Sequence, residues 1–336
     1  MARPQGAMMR LPAPLPEGLS TCFSLADAIE QGATVSRLRR DDLEIPFRGA
    51  RARVGTDPEG LSRAEAEEAD AWRRIRAYAA IMPDHAFFVG PTAALIAGLP
   101  LPAGLHRELH VGVPSPRTAP HRPGIAGHRV RDAAVRVVKG VRIADPVATW
   151  VSLAPFLDEY DLVAATDYLL RVPRSPGNIV PLSRTAPFAT RELLTRALTR
   201  RRRKDAPKLR HALSRARTGA SSRPETHMRL IGIDAGLPEP ELDYDIVVDG
   251  GFVACNDMAY PDLRLAFEYD GAVHRDKDRF VHDIDRSTRM HDVGWEDMHL
   301  ATPHVLGDPD EGARRMVAAY TRRSTLTLTP APRFYL

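Results

Sequence analysis

Three carboxylates, Asp257, Glu268 and Asp270, fall within one stretch of alternating polar and apolar residues that ends at His274. The alternation has the two-residue period of a β-strand, so Glu268 and Asp270 are expected on one face. Carboxylates that converge raise one another's pKa unless positive charge compensates them, and a hard divalent cation commonly does so. The pattern therefore predicts that Asp257 and Glu268 hold Mg²⁺ or Mn²⁺. The alternative is that all three are solvated side chains of an exposed hairpin face.

The elements around these carboxylates read as a β-hairpin. Pro261 and Asp262 favour a turn between two strands. A loop of two or four residues centred on them is expected to pair Asp257 with Ala266, which makes Glu268 the diagonal neighbour of Asp257 across the strands. Both carboxylates are then expected to emerge side by side.

A further acidic residue, Glu225, stands at the start of a predicted helix. Ser222, Pro224 and Glu225 form the Ser-x-x-Glu pattern of a capping box, and an apolar run follows them. Capping alone explains Glu225.

Basic residues are concentrated between residues 171 and 217, where only Glu192 and Asp205 are acidic. Lysine and arginine contacts with phosphate supply most sequence-independent affinity for nucleic acid. Arg286, in a later predicted helix, joins the expected nucleic-acid-binding set only through the family resemblance given below. The alternative for the basic stretch is a solvated helix and linker. The expected nucleic-acid-binding residues are Arg200, Arg201, Arg202, Arg203, Lys204, Arg210 and Arg286.

The combination E-x-D-G-x-x-H at residues 268–274, followed by D-x-x-R at 283–286 and G-W at 294–295, resembles a domain related to very-short-patch-repair (Vsr) endonucleases. That group is a branch of the PD-(D/E)xK nuclease superfamily, and the resemblance covers roughly residues 221–320. It implies a restriction-endonuclease-like α/β domain with a central mixed sheet, and metal-assisted hydrolysis of phosphodiester bonds.

The resemblance also implies roles for individual residues. Glu225 would complete the shell of the metal held by Asp257 and Glu268, or hold a water there, and His274 would act as a general acid or base. The superfamily pattern ends in E-x-K, whereas this chain has Asp270 at the lysine position. Either His274 or an arginine of the basic helices replaces the lysine, or Asp270 is a further metal ligand. The expected catalytic residues are Glu225, Asp257, Glu268, Asp270 and His274.

The first half of the chain suggests a second module. Residues 20–60 have the outline of two short helices, the second basic, followed by a strand at 45–51, which is typical of a winged helix. Residues 61–170 alternate helices and strands. With the F-F-V-G-P-T-A-A-L-I-A-G-L-P-L-P stretch, this half resembles the N-terminal part of AbiEi-type antitoxin proteins. That resemblance implies DNA binding or regulation.

The 336 residues, 43% apolar and 27% charged, are typical of a multidomain α/β protein. The predicted order is a disordered leader (1–19), a winged-helix-like module (20–60), an AbiEi-like α/β domain (61–170), a linker with basic helices (171–217) and a Vsr-like nuclease domain (218–325). No uninterrupted run of apolar residues is long enough to span a membrane. The two cysteines are far apart in the chain, which favours a cytoplasmic protein.

The sequence as a whole predicts a metal-dependent DNA endonuclease of DNA repair or phage defence. The alternative is a DNA-binding transcriptional regulator of the type IV antitoxin kind, whose nuclease-like domain is inactive.

Overall fold

The computed structural model describes residues 13–55, 60–178, 182, 184–200, 202–271 and 277–328, with the side chains of 277–284 left out. The described chain is a mixed α/β protein with three β-sheets. It divides into two compact units, one within Met1–Ala97 and Pro102–Thr149, the other within Gly98–Leu101 and Trp150–Leu336. Within the described residues, no helix combines the length and the apolar character needed to cross a bilayer.

The first unit contains two sheets and three complete helices among its described residues. The small antiparallel sheet has the order β1-β3-β2, and the larger mixed sheet has the order β6-β5-β4-β8-β7. The elements are β1 (Cys22–Ser24), α1 (Leu25–Glu30), β2 (Leu43–Glu44), β3 (Ala50–Arg53), α2 (Arg63–Ala79), β4 (Phe87–Phe88), α3 (Gly90–Ala97), β5 (Leu109–Pro114), β6 (Ile125–Val130), β7 (Val135–Val138) and β8 (Val141–Ala144). Helix α4 (Pro146–Leu153) leads out of this unit.

The expected second helix of the winged-helix outline is a single 3-10 turn, Arg37–Arg39. Arg37 pairs with Asp42 at 2.6 Å, so part of the basic charge expected on this segment is used within the unit. Arg51 is buried and donates to the Leu38 carbonyl at 2.7 Å. One turn is too short to fill a DNA groove as a recognition helix does. The expected strand at 45–51 begins only at Ala50.

The second unit is built around one four-stranded sheet of order β12-β11-β10-β9. Neighbouring strands are antiparallel except β11 and β12, which run parallel and are joined through a helix. The elements are α5 (Glu159–Leu170), α6 (Arg191–Thr199), α7 (Ala206–Arg215), α8 (Arg223–Asp234), β9 (Glu241–Val248), β10 (Gly251–Tyr260), β11 (Leu265–Asp270), α9 (Lys277–Asp292), β12 (Glu296–Ala301) and α10 (Pro309–Leu328).

Each face of this sheet buries a separate apolar cluster. On one face, Phe267 and Leu300 pack with Met228 of α8 and Met316 of α10. On the other, Ala259 and Ala266 pack with Met290 of α9 and with Trp295. Because side chains alternate along a strand, Glu268 and Asp270 follow Ala266 onto the α9 face. These two carboxylates therefore lie on the side of the sheet that α9 covers.

Helix α5 belongs to the second unit, whereas the sequence placed it in a domain ending at residue 170. Two buried ion pairs hold it to α8. Asp167 contacts Arg229 at 3.4 Å, and each of these side chains is 1% exposed. Asp161 accepts from Arg223 at 2.5 Å and contacts His227 at 2.7 Å. These charged partners lie about 60 residues further along the chain than α5, and they decide where the helix packs.

The hairpin turn has four residues, one of the two lengths that the sequence predicted, but it is centred on Asp262 and Leu263 instead of Pro261 and Asp262. Pro261–Leu263 forms a 3-10 turn, and Arg264 completes it with a left-handed φ of 48°. The strands consequently pair Ala259 with Ala266 and Met258 with Phe267. The expected pairing of Asp257 with Ala266 is wrong by two residues. A shift of two residues leaves each side chain on its own face of the sheet. Asp257 therefore lies closer to Glu268 than expected, and on the same face.

Candidate functional site

The pairing between β10 and β11 ends beside Asp257. The last paired residues on this side are Met258 and Phe267. One step beyond, the main-chain N–H of Tyr269 donates to the Asp257 carboxylate at 2.8 Å. A side chain thus takes the place of a main-chain acceptor where the two strands separate. The contact fixes Asp257 at the end of β11 that carries Glu268 and Asp270.

Glu268 is held on both sides. Its Oε2 accepts from the Asn256 side-chain amide at 3.1 Å, and its Oε1 lies 3.1 Å from Nη1 of Arg286 on α9. Arg286 also donates to the Cys255 carbonyl at 3.2 Å. Asn256 is buried at 1% exposure, so it holds the glutamate from the interior. These contacts orient the carboxylate and give it one compensating cation.

Glu225 performs the capping role expected from the sequence, with one change of partner. Ser222 accepts from the Glu225 main chain at 3.4 Å, and Glu225 Oε2 accepts from the N–H of Ser221 at 2.5 Å. Burial raises the pKa of Glu225 in spite of these bonds, and the nearby Glu268 charge adds to the rise. Arg171 opposes it through its own positive charge. The cap therefore does not remove Glu225 from the neighbourhood of the other acids.

Glu225, Asp257 and Glu268, hereafter the acidic cluster, interact as one group. Burial, then the charge of Glu225, then that of Glu268 raise the pKa of Asp257 to about 8. The Tyr269 N–H and Arg286 oppose this shift without cancelling it. Three chain segments, α8, β10 and β11, thus bring their carboxylates within electrostatic reach of each other. Such a cluster favours either a bound proton or a bound cation.

Asp270 has a different environment from the acidic cluster. Its Oδ2 lies 3.2 Å from Nδ1 of His299 on β12. Nε2 of the same ring lies 3.1 Å from Oδ2 of Asp297, which also accepts from the Ser287 hydroxyl. The bond to Asp297 raises the pKa of His299, while the imidazole and the hydroxyl lower the pKa of Asp297.

The expected nucleic-acid-binding residues divide into three kinds. Arg200, Arg202, Lys204 and Arg210 are exposed. Arg203 is partly buried. Arg286 pairs with Glu268 and donates to the Cys255 carbonyl, so its charge is compensated inside the site. Arg201, the remaining member of this set, lies outside the described residues, as does the expected catalytic residue His274.

Other members of the basic stretch have structural roles. Lys208 donates to the Ala154 carbonyl at 3.0 Å and to that of Leu157. Arg191 donates to the Ala216 carbonyl at 2.8 Å, and Arg215 pairs with Asp234 at 2.5 Å. The helices α6 and α7 are therefore fastened by part of their own basic charge. Arg200, Arg202, Lys204 and Arg210 stay exposed among the described residues.

Within the described part of the chain, no three His, Cys, Asp or Glu side chains are arranged to hold a metal ion. A site with three protein ligands is therefore not formed by the acidic cluster as it stands. Mg²⁺ commonly takes only one or two carboxylates and fills its remaining positions with water and substrate phosphate. The donor set fits that simpler arrangement, because Asp257 and Glu268 are hard oxygen ligands, and the ionised form of Asp257 is unfavourable there unless a cation compensates it.

The sequence did not identify four residues that shape this site: Arg171, Asn256, Asp297 and His299. Asp297 and His299 are two apart on a predicted strand, so a shared face was readable from their spacing. Their contact with Asp270 depends on the parallel pairing of β11 with β12. Arg171 is the residue at which α5 ends, and nothing in the sequence beyond its charge indicated that it would lie near the site.

Comparison with known proteins gives two relatives from Mycobacterium tuberculosis. A protein of strain CDC 1551 / Oshkosh is 29% identical over 252 residues, covering 75% of this chain and 87% of the relative. A protein of strain ATCC 25618 / H37Rv matches over the same length with the same identity and coverage. Both are described as uncharacterized. No family model and no solved structure matches the chain.

Proposed function

We propose that this protein is a metal-dependent DNA endonuclease whose site is the acidic cluster. The observation that carries the proposal is the electrostatic coupling of Glu225, Asp257 and Glu268 at the point where β10 and β11 separate. The fold of the second unit, a mixed sheet between α8 and α9, is compatible with the restriction-endonuclease-like interpretation of the sequence. The nuclease and winged-helix interpretations of the fold belong to the same proposal.

In this proposal Asp257 and Glu268 bind one Mg²⁺ or Mn²⁺. When bound, the cation neutralises phosphate charge and activates water for hydrolysis. Tyr269 and Asn256 keep the two carboxylates in place, because each donates a hydrogen bond to one of them. Glu225 adds negative charge that favours the cation, and its bond to Ser221 sets its position.

The substrate class follows from the exposed basic residues of the same unit. Arg200, Arg202, Lys204 and Arg210 are exposed on or next to α6 and α7. Phosphate contacts of this kind hold DNA without reading its sequence. The acidic cluster alone would repel a polyanion, so a nuclease needs both features in one chain.

The test is cleavage of supercoiled plasmid with Mg²⁺ or Mn²⁺ and with neither. The wild type is expected to nick DNA only with a divalent cation. Asp257→Asn and Glu268→Gln preserve side-chain shape and are expected to lower the rate at least 100-fold with DNA affinity largely kept. Asp262→Asn is the matched control, because this exposed acid lies in the turn of the same hairpin. A protein that retards DNA but never cuts it with either metal contradicts the proposal.

A second candidate is a DNA-binding regulator with an inactive nuclease-like domain. The observation favouring it is that Arg286 lies 3.1 Å from Glu268, at a position where it competes with a metal ion. For this candidate, DNA binding is expected to be independent of divalent cations. Glu268→Gln would then leave DNA affinity unchanged, with or without Mg²⁺. The endonuclease proposal instead requires Glu268→Gln to lose the Mg²⁺-dependent nicking of the wild type.

A further inference from the structure

A cavity of about 610 Å³ opens within the first unit. Its wall is formed by the loop before β1, by β1 and α1, by the C-terminal end of α2 and by the turn between β7 and β8. The buried side chains of Leu19, Phe23 and Val141 make part of this wall apolar. Small-molecule sites have volumes of roughly 300–1,000 Å³ and combine apolar walls with a few polar groups. The cavity therefore has the size and lining of a site for a small organic molecule.

Two cations, Arg76 and Lys139, stand in the wall of this cavity and contact the same aromatic ring. The guanidinium carbon of Arg76 lies 5.6 Å from the centre of the Trp72 ring, and Nζ of Lys139 lies 4.6 Å from it. Among the described residues, neither cation pairs with a carboxylate. Two like charges gathered at one ring repel each other, and a bound anion relieves that repulsion.

The backbone keeps both cations at the cavity. Arg76 comes four residues after Trp72 on α2, so the two side chains share a helix face. Lys139 and Gly140 form the two-residue turn between β7 and β8, with positive φ values of 49° and 79°. Turns of this kind favour Asn, Asp or Gly at their first position. The turn itself thus gives no reason for a lysine, whereas an anion site does.

The other polar groups of the wall leave the cavity positive. Among its described residues, Asp27 is the one carboxylate, and it is exposed. The thiol of Cys22 also lines the cavity. Burial raises the pKa of this thiol, the positive charge of Arg76 lowers it, and the negative charge of Glu44 adds to the rise. Cys22 is therefore close enough to Arg76 to report on the charge of the cavity.

We propose that this cavity binds a small organic anion, with its carboxylate or phosphate group held by Arg76 and Lys139 and its hydrocarbon part against Leu19, Phe23 and Val141. Arginine and lysine are the side chains that bind both kinds of anionic group in proteins. The site lies in the first unit, so it is independent of the proposed endonuclease function of the second.

The charge of the cavity is measured by the reactivity of Cys22. The chain has two cysteines, so Cys255→Ser leaves Cys22 as the only thiol of the full-length protein. Its rates are compared for the anionic disulfide dithiobis(nitrobenzoate) and the neutral disulfide dithiodipyridine. Because a positive cleft concentrates anions, the anionic-to-neutral rate ratio is expected to fall about 10-fold in the double variant Arg76→Gln, Lys139→Gln. Both reagents react with the thiolate, so a change in the thiol pKa cancels in this ratio.

The control variant Arg117→Gln, Arg129→Gln removes the same charge from exposed positions of the first unit outside the cavity wall. It is expected to keep the rate ratio within about 2-fold, because exposed charges at a distance are screened by salt. Asp27→Asn is expected to raise the ratio, since it removes the carboxylate from the wall. High salt is expected to lower the ratio with the cavity residues unchanged. A ratio that is the same in the Arg76→Gln, Lys139→Gln variant contradicts the proposal.

Ligand binding is tested by protection of the same thiol. Phenyl phosphate and benzoate carry the two candidate anionic groups on an apolar ring, and benzyl alcohol is a neutral counterpart. Each anion that fits is expected to slow the reaction of Cys22 with dithiodipyridine about 10-fold at roughly ten times its Kd. The protection is expected to disappear in the Arg76→Gln, Lys139→Gln variant. The anion that protects at the lower concentration identifies the preferred group.

Three results overturn the proposal. The first is protection by neither anion, and the second is equal protection by benzyl alcohol, which would show that the charges play no part. The third is protection by duplex DNA without protection by either small anion, because the two cations then bind the phosphate backbone.

Discussion

The carboxylate of Asp257 accepts the main-chain N–H of Tyr269 at 2.8 Å, across the gap where β10 and β11 separate. This bond fixes the position of a site carboxylate relative to the strands of the sheet. Without it, the N–H at the end of β11 would lose its acceptor, and an unpaired buried donor is unfavourable. The same bond keeps the acid beside Glu268 although burial and like charges act against its ionised form.

Replacing Asp257 with asparagine is expected to stabilise the protein. The pKa of Asp257 rises from 3.8 to about 8 in the fold, so its ionisation destabilises the folded state increasingly as the pH rises between these values. The asparagine carbonyl still accepts from Tyr269 but carries no charge. At pH 8 the free energy of unfolding is expected to rise by roughly 2–4 kcal/mol, with little change near pH 4.

Chemical denaturation at the two pH values measures this difference. Mg²⁺ is expected to raise the Tm of the wild type and to have no effect on Asp257→Asn. Asp262→Asn should behave as wild type in both respects, because this turn residue is exposed. A destabilised Asp257→Asn variant would show that the carboxylate is structural.

The Asp167–Arg229 pair between α5 and α8 is expected to dominate the stability of that contact. Asp167→Ala removes one of two carboxylate partners of a guanidinium that is 1% exposed, the other being Glu239 at 2.9 Å, and also an acceptor for Thr226 at 2.9 Å. The loss is expected to be about 3–5 kcal/mol. Asp158→Ala, which removes only the N-cap of α5, should lose about 1 kcal/mol. Urea denaturation compares the two, and equal losses would contradict the dominant role of the buried pair.

The first unit is expected to lose stability in acid through His110. Burial, followed by the charges of His128 and His106, lowers the pKa of His110 to about 4. Because an unfolded histidine titrates near 6.5, protonation favours the unfolded chain as the pH falls from about 6.5 to 4.

The contribution of His110 is on the order of 2 kcal/mol after allowance for partial solvent screening. His110→Asn is expected to flatten the pH dependence of unfolding in this range, as followed by circular dichroism. His121→Asn, at an exposed position, should keep the wild-type dependence. An unchanged slope in His110→Asn would assign the acid sensitivity elsewhere.

Exposed basic residues of the second unit are expected to set the salt dependence of DNA binding. A triple Ala variant of Arg202, Lys204 and Arg210 should bind DNA more weakly. Its slope of log affinity against log salt concentration should fall by about 2.7 if each residue neutralises one phosphate. Fluorescence anisotropy at several salt concentrations measures the slope.

A charge-matched control replaces three exposed arginines of the first unit, Arg117, Arg129 and Arg136. It is expected to keep the wild-type slope. If the control loses affinity and the first variant does not, the principal DNA-binding surface lies in the first unit, as the regulator alternative requires.

Local structure in the second unit was predictable from the sequence because local signals agree there. Ser222 caps α8 as expected, and the strands on either side of the Pro261-Asp262 turn form an antiparallel hairpin. The first unit was less predictable. The helix expected around Arg37 is one 3-10 turn, because Arg37 and Arg51 are drawn into contacts with Asp42 and the Leu38 carbonyl.

By itself, the sequence determined that Glu268 and Asp270 share a strand face and that Glu225 begins a helix, since strand period and capping are local properties. Only the tertiary structure decided the rest. The position of the four-residue turn set the register of Asp257, and the parallel pairing of β12 brought His299 to Asp270. Packing of α5 on α8 brought Arg171 close enough to Glu225 for its positive charge to lower the pKa of that carboxylate. These contacts join residues that are distant in the chain, so burial and charge in the folded protein select them.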